Sequence, residues 1–103
     1  MADNRGNDTK LADRSRKKLR EPDDYRVILL NDNYTTMEFV VAVLMSIFQK
    51  GEEEAKRVML DIHRKGRGTV GLYSWDIALT KAEQVHIAAE RKGYPLRCIV
   101  EKV

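Results

Sequence analysis

The chain has 103 residues, a formal net charge of +3 and a sequence pI near 9.1. That length allows one domain at most. No apolar run approaches the roughly 20 residues that a membrane span needs, and the N-terminus lacks the apolar segment of a signal peptide. The single cysteine, Cys98, excludes an internal disulfide and fits a reducing cytosol.

Residues 1–24 carry seven Lys/Arg and six Asp/Glu with almost no large apolar side chain, so they are expected to form a flexible N-terminal extension. The folded domain is then residues 25–103. The basic run from Arg14 to Arg20 suits a nucleic-acid arm or a targeting patch. Acidic residues on both sides favour a solvated tail instead. Tyr25 to Leu30 reads as a strand. Asn31, Asp32 and Asn33 follow, and as turn chemistry they are ordinary. Thr35 as N-cap and Glu38 three residues on form a capping box for a helix from Met37 to about Gln49. Acceptors at 31 and 32 then face out beside apolar Met37, Phe39 and Val40. That neighbourhood suits a ligand with a cationic head and an apolar body.

A second helix, Glu52 to Lys65, places Ala55, Val58, Met59, Ile62 and His63 on one stripe, with acids in its first turn, bases in its last and Gly66 as the stop. A lone His on such a stripe is more often a hydrogen-bonded core residue than a ligand. Arg67 to Tyr73 reads as a strand whose glycines suggest a bulge or a close backbone approach. Ser74 can cap a third helix that runs to Lys92 and stops at Gly93. Leu96 to Glu101 is the last strand, with Cys98 as an inert core residue. The order βααβαβ predicts an α+β fold, three helices packed on a small antiparallel three-stranded sheet.

Catalytic and metal signatures are nearly absent. The histidines, His63 and His86, have no zinc spacing, and Asp61 lies on a different helix face from His63. No nucleophile elbow, phosphate loop or calcium loop occurs. Neither an enzyme nor a cofactor is expected.

The block Val-Ile-Leu-Leu-Asn-Asp-Asn-Tyr-Thr-Thr-Met-Glu-Phe-Val (27–40) resembles the signature of the ClpS adaptors. The likeness continues through Met-Leu-Asp-Ile-His (59–63), Thr80-Lys81 and Pro95-Leu96-Arg97-Cys98, and covers essentially all of residues 25–103. This family recognises N-terminal degradation signals, or N-degrons, and delivers their bearers to the AAA+ protease ClpAP in the bacterial cytoplasm. The resemblance implies that Asn31, Asp32 and His63 contact the α-ammonium of the target. It further implies a hydrophobic pocket of Thr35, Met37, Val40, Met59, Ile62 and Leu96 for a first side chain of Leu, Phe, Tyr or Trp. Met37 resembles the rim residue that disfavours β-branched side chains.

Two positions depart from the commoner pattern. Asn33 stands where many members have Asp, which removes a negative charge and makes it a tuning position. Thr36 stands where many have Pro, the favoured first helical residue, and is expected to loosen the helix entry. By the same resemblance, the face around Asp76 and Lys81 docks on the N-terminal domain of the ClpA unfoldase, and the extension is engaged during hand-off. A monomer with no nucleic-acid or membrane partner is expected. The rival reading, a small RNA- or ribosome-associated module, requires aromatic stacking residues on an exposed sheet, for which Tyr25 and Tyr73 are the candidates.

Overall fold

The computed structural model describes residues 24–103. Its elements are β1 (Tyr25–Leu30), α1 (Met37–Ser46), α2 (Glu52–Lys65), β2 (Arg67–Tyr73), α3 (Trp75–Lys92) and β3 (Arg97–Lys102), the order expected from the pattern. The flexible-extension expectation lies outside the described residues except at Asp24. There the backbone carbonyl accepts from Val103 N at 2.6 Å and the carboxylate meets Lys102 Nζ at 3.2 Å. The start of β1 is thereby tied to the end of β3.

The sheet has the order β2-β1-β3 and is antiparallel throughout. Alternation along β1 sends Val27 and Leu29 into the core under the helices. Arg26 and Ile28 take the opposite face, where Ile28 pairs with Ile99 and Glu101 bridges Arg26 at 3.9 Å and Arg67 at 2.8 Å. Between β1 and β2 the register slips, because Val27 pairs with Gly71 while Ile28 pairs with Thr69. Val70 is the extra residue of a bulge, and it is buried. Gly68 is the close approach: a Cβ there would lie 2.7 Å from Ile62 Cγ1, so only glycine lets β2 pass this tightly under α2.

The helix entry differs from the capping-box expectation. Thr36, not Thr35, is the N-cap of α1, and its hydroxyl accepts from Phe39 N at 3.1 Å. The Thr35 hydroxyl is turned the other way, donating to Asp32 Oδ2 at 2.8 Å. Glu38 therefore sits one position too early to close the reciprocal box, and Thr36 caps the helix alone.

At its other end α1 stops at Ser46, short of the expected Gln49. The chain turns out through Gln49, held at φ 53, while Lys50 N donates to Leu44 O at 3.0 Å. A left-handed non-glycine residue costs about 1–2 kcal/mol. Two contacts offset it: Gln49 Nε2 donates to Ser46 O at 3.1 Å, and Lys81 Nζ donates to Ile47 O at 2.8 Å. Helices α2 and α3 end as read, on Gly66 at φ 88 and Gly93 at φ 77. Ser74 occupies the N-cap of α3 but makes no side-chain capping bond. Strand β3 begins one residue later than expected, at Arg97.

Candidate functional site

The loop after β1 is fastened to the end of α2 by one bond, Asn31 N donating to Gly66 O at 2.9 Å. That link sets Asn31 beside the last turn of α2, where His63 lies. Together the loop, the start of α1 and the end of α2 enclose a cavity of about 220 Å³. Asn31, Asp32, Asn33, Thr35, Met37, Val40, Met59, Ile62 and His63 line it. The floor is apolar and fixed, since Ile62 is 2% and Val40 7% exposed. Met59 is half-buried in the wall, and Met37, 42% exposed, stands at the rim.

Asp32 organises the polar side. Its Oδ1 accepts from Tyr34 N at 2.8 Å and Thr35 N at 2.7 Å, and its Oδ2 accepts from the Thr35 hydroxyl at 2.8 Å. Burial by itself would raise this carboxyl, but the three hydrogen bonds outweigh it and hold the group below its ordinary value. The acid is thus ionised at neutral pH. A carboxylate has about four acceptor positions, so three internal bonds leave about one, on Oδ2. Asn31 and His63 are both exposed, and among the described residues neither side chain has an internal hydrogen-bond partner. The core alternative for His63 does not hold: the buried stripe is Ala55, Val58 and Ile62, and His63 falls exposed at its outer edge. The outcome is three polar side chains, Asn31, Asp32 and His63, lining a cavity with an apolar floor.

Of the residues named from sequence, Leu96 is not brought to this cavity; it is 3% exposed in the common core. Asp76 is exposed in the first turn of α3. Lys81 is half-buried, with its ammonium on the Ile47 carbonyl and 5.7 and 5.8 Å from the Phe48 and Tyr73 ring centres. Cys98 lies in the core, and burial pushes its thiol up to about 12. Tyr25 and Tyr73 are on the helix side of the sheet, packed against Trp75 and Phe48 with ring centres 5.0 and 6.4 Å apart. They offer no stacking platform to RNA. Sequence reasoning did not find Gly66 and Gly68 as supports of the site. The signal was present, because glycines flanking a strand start mark close backbone approach.

The family model described as "ATP-dependent Clp protease adaptor protein ClpS" matches residues 20–99. The chain belongs to the ClpS family. ClpS adapter proteins of Syntrophus aciditrophicus and Treponema denticola are 57% and 55% identical to it, each over 84% of this chain and over 80% and 86% of their own length. The ClpS of Nitratidesulfovibrio vulgaris is 49% identical over 95% of this chain and 96% of its own. A solved structure, Agrobacterium tumefaciens ClpS2 bound to L-phenylalaninamide, superposes with a TM-score of 0.77 at 40% identity, covering 81% of this chain and all of that one. As a ClpS protein the chain is a protease adaptor and not an enzyme. Among the described residues no helix is long and apolar enough to cross a membrane.

Proposed function

We propose that the cavity captures the free α-amino group and first side chain of N-degrons and that the chain delivers their bearers to ClpAP. One observation carries this reading: Asn31, Asp32 and His63 line one cavity together with buried Val40 and Ile62. An α-amino group with a pKa near 8 is mostly a three-donor ammonium at pH 7. Asp32 supplies its counter-charge through the remaining Oδ2 position, and the Asn31 carbonyl and a His63 ring nitrogen accept hydrogen bonds from the other N–H groups. Burying a Leu or Phe side chain on the apolar floor adds about 1.5–3 kcal/mol. L-phenylalaninamide, the ligand of the Agrobacterium tumefaciens relative, carries both halves of this signal, an amine and an aromatic side chain.

Specificity follows from what each group rejects. Acetylation removes the charge and two donors, leaving the acceptors unpaired at the cavity mouth. A first residue branched at Cβ brings bulk to the rim, against Met37. Delivery uses other surfaces: the exposed first turn of α3 around Asp76 docks on the N-terminal domain of ClpA, and residues 1–23 are engaged by the unfoldase. The protein acts as a cytoplasmic monomer.

Fluorescence anisotropy with short peptides beginning with Phe, Leu, Ile or acetyl-Phe tests the reading. Tight binding of free Phe and Leu, with Ile and acetyl-Phe failing, is the expected result. Failure of every peptide would overturn it and return the RNA module to consideration, through a salt titration with RNA.

A further inference from the structure

A second concavity, of about 470 Å³, lies between α3 and the outer edge of β3. Trp75, Leu79 and Ile87 line it while 45%, 42% and 42% exposed, and Cys98 and Val100 form its base. Monomeric proteins seldom leave such a contiguous apolar stripe open. Among the described residues lining it, the charged ones are Glu83 and Glu90, and neither carboxylate has an ion-pair partner there. β3 is an edge strand of the sheet. Cys98 N donates to His86 Nε2 at 3.0 Å, so it points away from β1. By alternation Val100 turns its main-chain groups to the same side. The groove is thus apolar and acidic, the complement of a segment that is apolar and basic.

The sequence contains such a segment shortly before β1. Residues 10–20, Lys-Leu-Ala-Asp-Arg-Ser-Arg-Lys-Lys-Leu-Arg, hold six Lys/Arg against one Asp, with Leu11 and Leu19 as anchors. The described chain starts at Asp24, fixed to Val103, and Tyr25 packs at a tilt against Trp75 with 5.0 Å between ring centres. The sequence therefore enters the fold at the Trp75 end of the groove. From Trp75 to Glu90 is about 22 Å along the helix at about 1.5 Å per residue. Leu11 to Leu19 in extended form spans about 26 Å. Four residues between Leu19 and Asp24 are enough for the turn.

We propose that residues 10–20 of this chain occupy the α3–β3 groove, Leu19 against Trp75 and Leu79, Leu11 towards Ile87, and the basic side chains over Glu83 and Glu90. The extension is then held on the adaptor's own surface until a competitor for it, or for the groove, releases it.

Trp75 is the chain's single tryptophan, so its fluorescence reports on the groove directly. Acrylamide quenching is measured on three full-length proteins: the wild type, Leu11→Ser/Leu19→Ser and Glu83→Lys/Glu90→Lys. Docking shields much of the exposed half of Trp75, so both variants should be quenched about two-fold more strongly than the wild type at low salt. High salt should move the wild type towards them. Equal quenching of wild type and the Leu variant would overturn the proposal, as would a Glu variant that stays protected. Protection that grows with protein concentration would assign the groove to a second copy and overturn it as well.

Discussion

Replacing Asp32 with Asn separates the charge of the site from its scaffold. The amide keeps a carbonyl oxygen for the Tyr34 and Thr35 amides and turns its NH2 towards the Thr35 hydroxyl, which rotates to accept. Hydrogen bonds to a charged group contribute about 1.5–3 kcal/mol, against about 0.5–1.5 for neutral ones. At a site this solvated the three bonds together should lose about 1–2 kcal/mol, so the fold survives. The ligand loses a charge-assisted contact worth about 1.5–3 kcal/mol, or about 10- to 100-fold in Kd. The pH dependence makes the test specific. Asp32, held below its ordinary value, stays charged from mild acid upward. Its stabilising contribution is complete above the unfolded value of 3.8 and is lost only as pH falls through the lower folded value. What titrates near neutrality on the ligand is the α-amine, with a pKa of about 8. Anisotropy with a Phe-initiated peptide should therefore show the full difference between wild type and Asp32→Asn at pH 7. Most of that difference should vanish by about pH 9.5, where the amine is neutral. A variant within two-fold of wild type at pH 7, or a difference unchanged at high pH, would refute the ion-pair argument.

Asn33→Asp adds a carboxylate at the exposed rim of the cavity; peptide affinity should rise about two- to five-fold at low salt, and no gain or a loss rejects the charge argument. Thr36→Ala removes the N-cap of α1 and should lower the unfolding free energy by about 0.5–2 kcal/mol in a urea titration; an unshifted midpoint would mean that the cap is idle. Gly68→Ala drives a methyl into Ile62, whose β-branched side chain is buried and cannot swing aside; about 1–3 kcal/mol of stability should be lost, and peptide affinity with it. Lost stability with full affinity would show that the cavity floor does not depend on the β2 approach.

Much of the fold was legible because its signals are local. Gly66 and Gly93 stop their helices where periodicity says they should, and the glycines of β2 mark both the bulge and the passage under Ile62. What the pattern missed depended on competition between neighbours. Thr35 and Thr36 are equally good caps in isolation, and only the three-dimensional reach of Asp32 decides that Thr35 is already engaged. The end of α1 depends on a distant partner in a similar way, since Lys81, 34 residues on in sequence, takes up the Ile47 carbonyl where the helix stops. Leu96 could not be separated from the cavity by periodicity, because core and pocket wall share one apolar code.

His63 shows where that code gives out. An amphipathic stripe specifies which residues turn towards the core but not where the core stops. Ile62 and His63 are adjacent, yet one is the cavity floor and the other its exposed rim, because the loop tied down by Asn31 and Gly66 leaves the last turn of α2 uncovered. The same loop gives Asp32 its turn geometry. The structural and the functional readings of Asn31-Asp32-Asn33 are therefore one reading. The bonds that make the turn order the carboxylate and depress its pKa, and they stop one acceptor short of satisfying it. A site for an ammonium requires a carboxylate that is charged, immobile and incompletely paired, and an Asx-type turn beside an open helix end supplies all three.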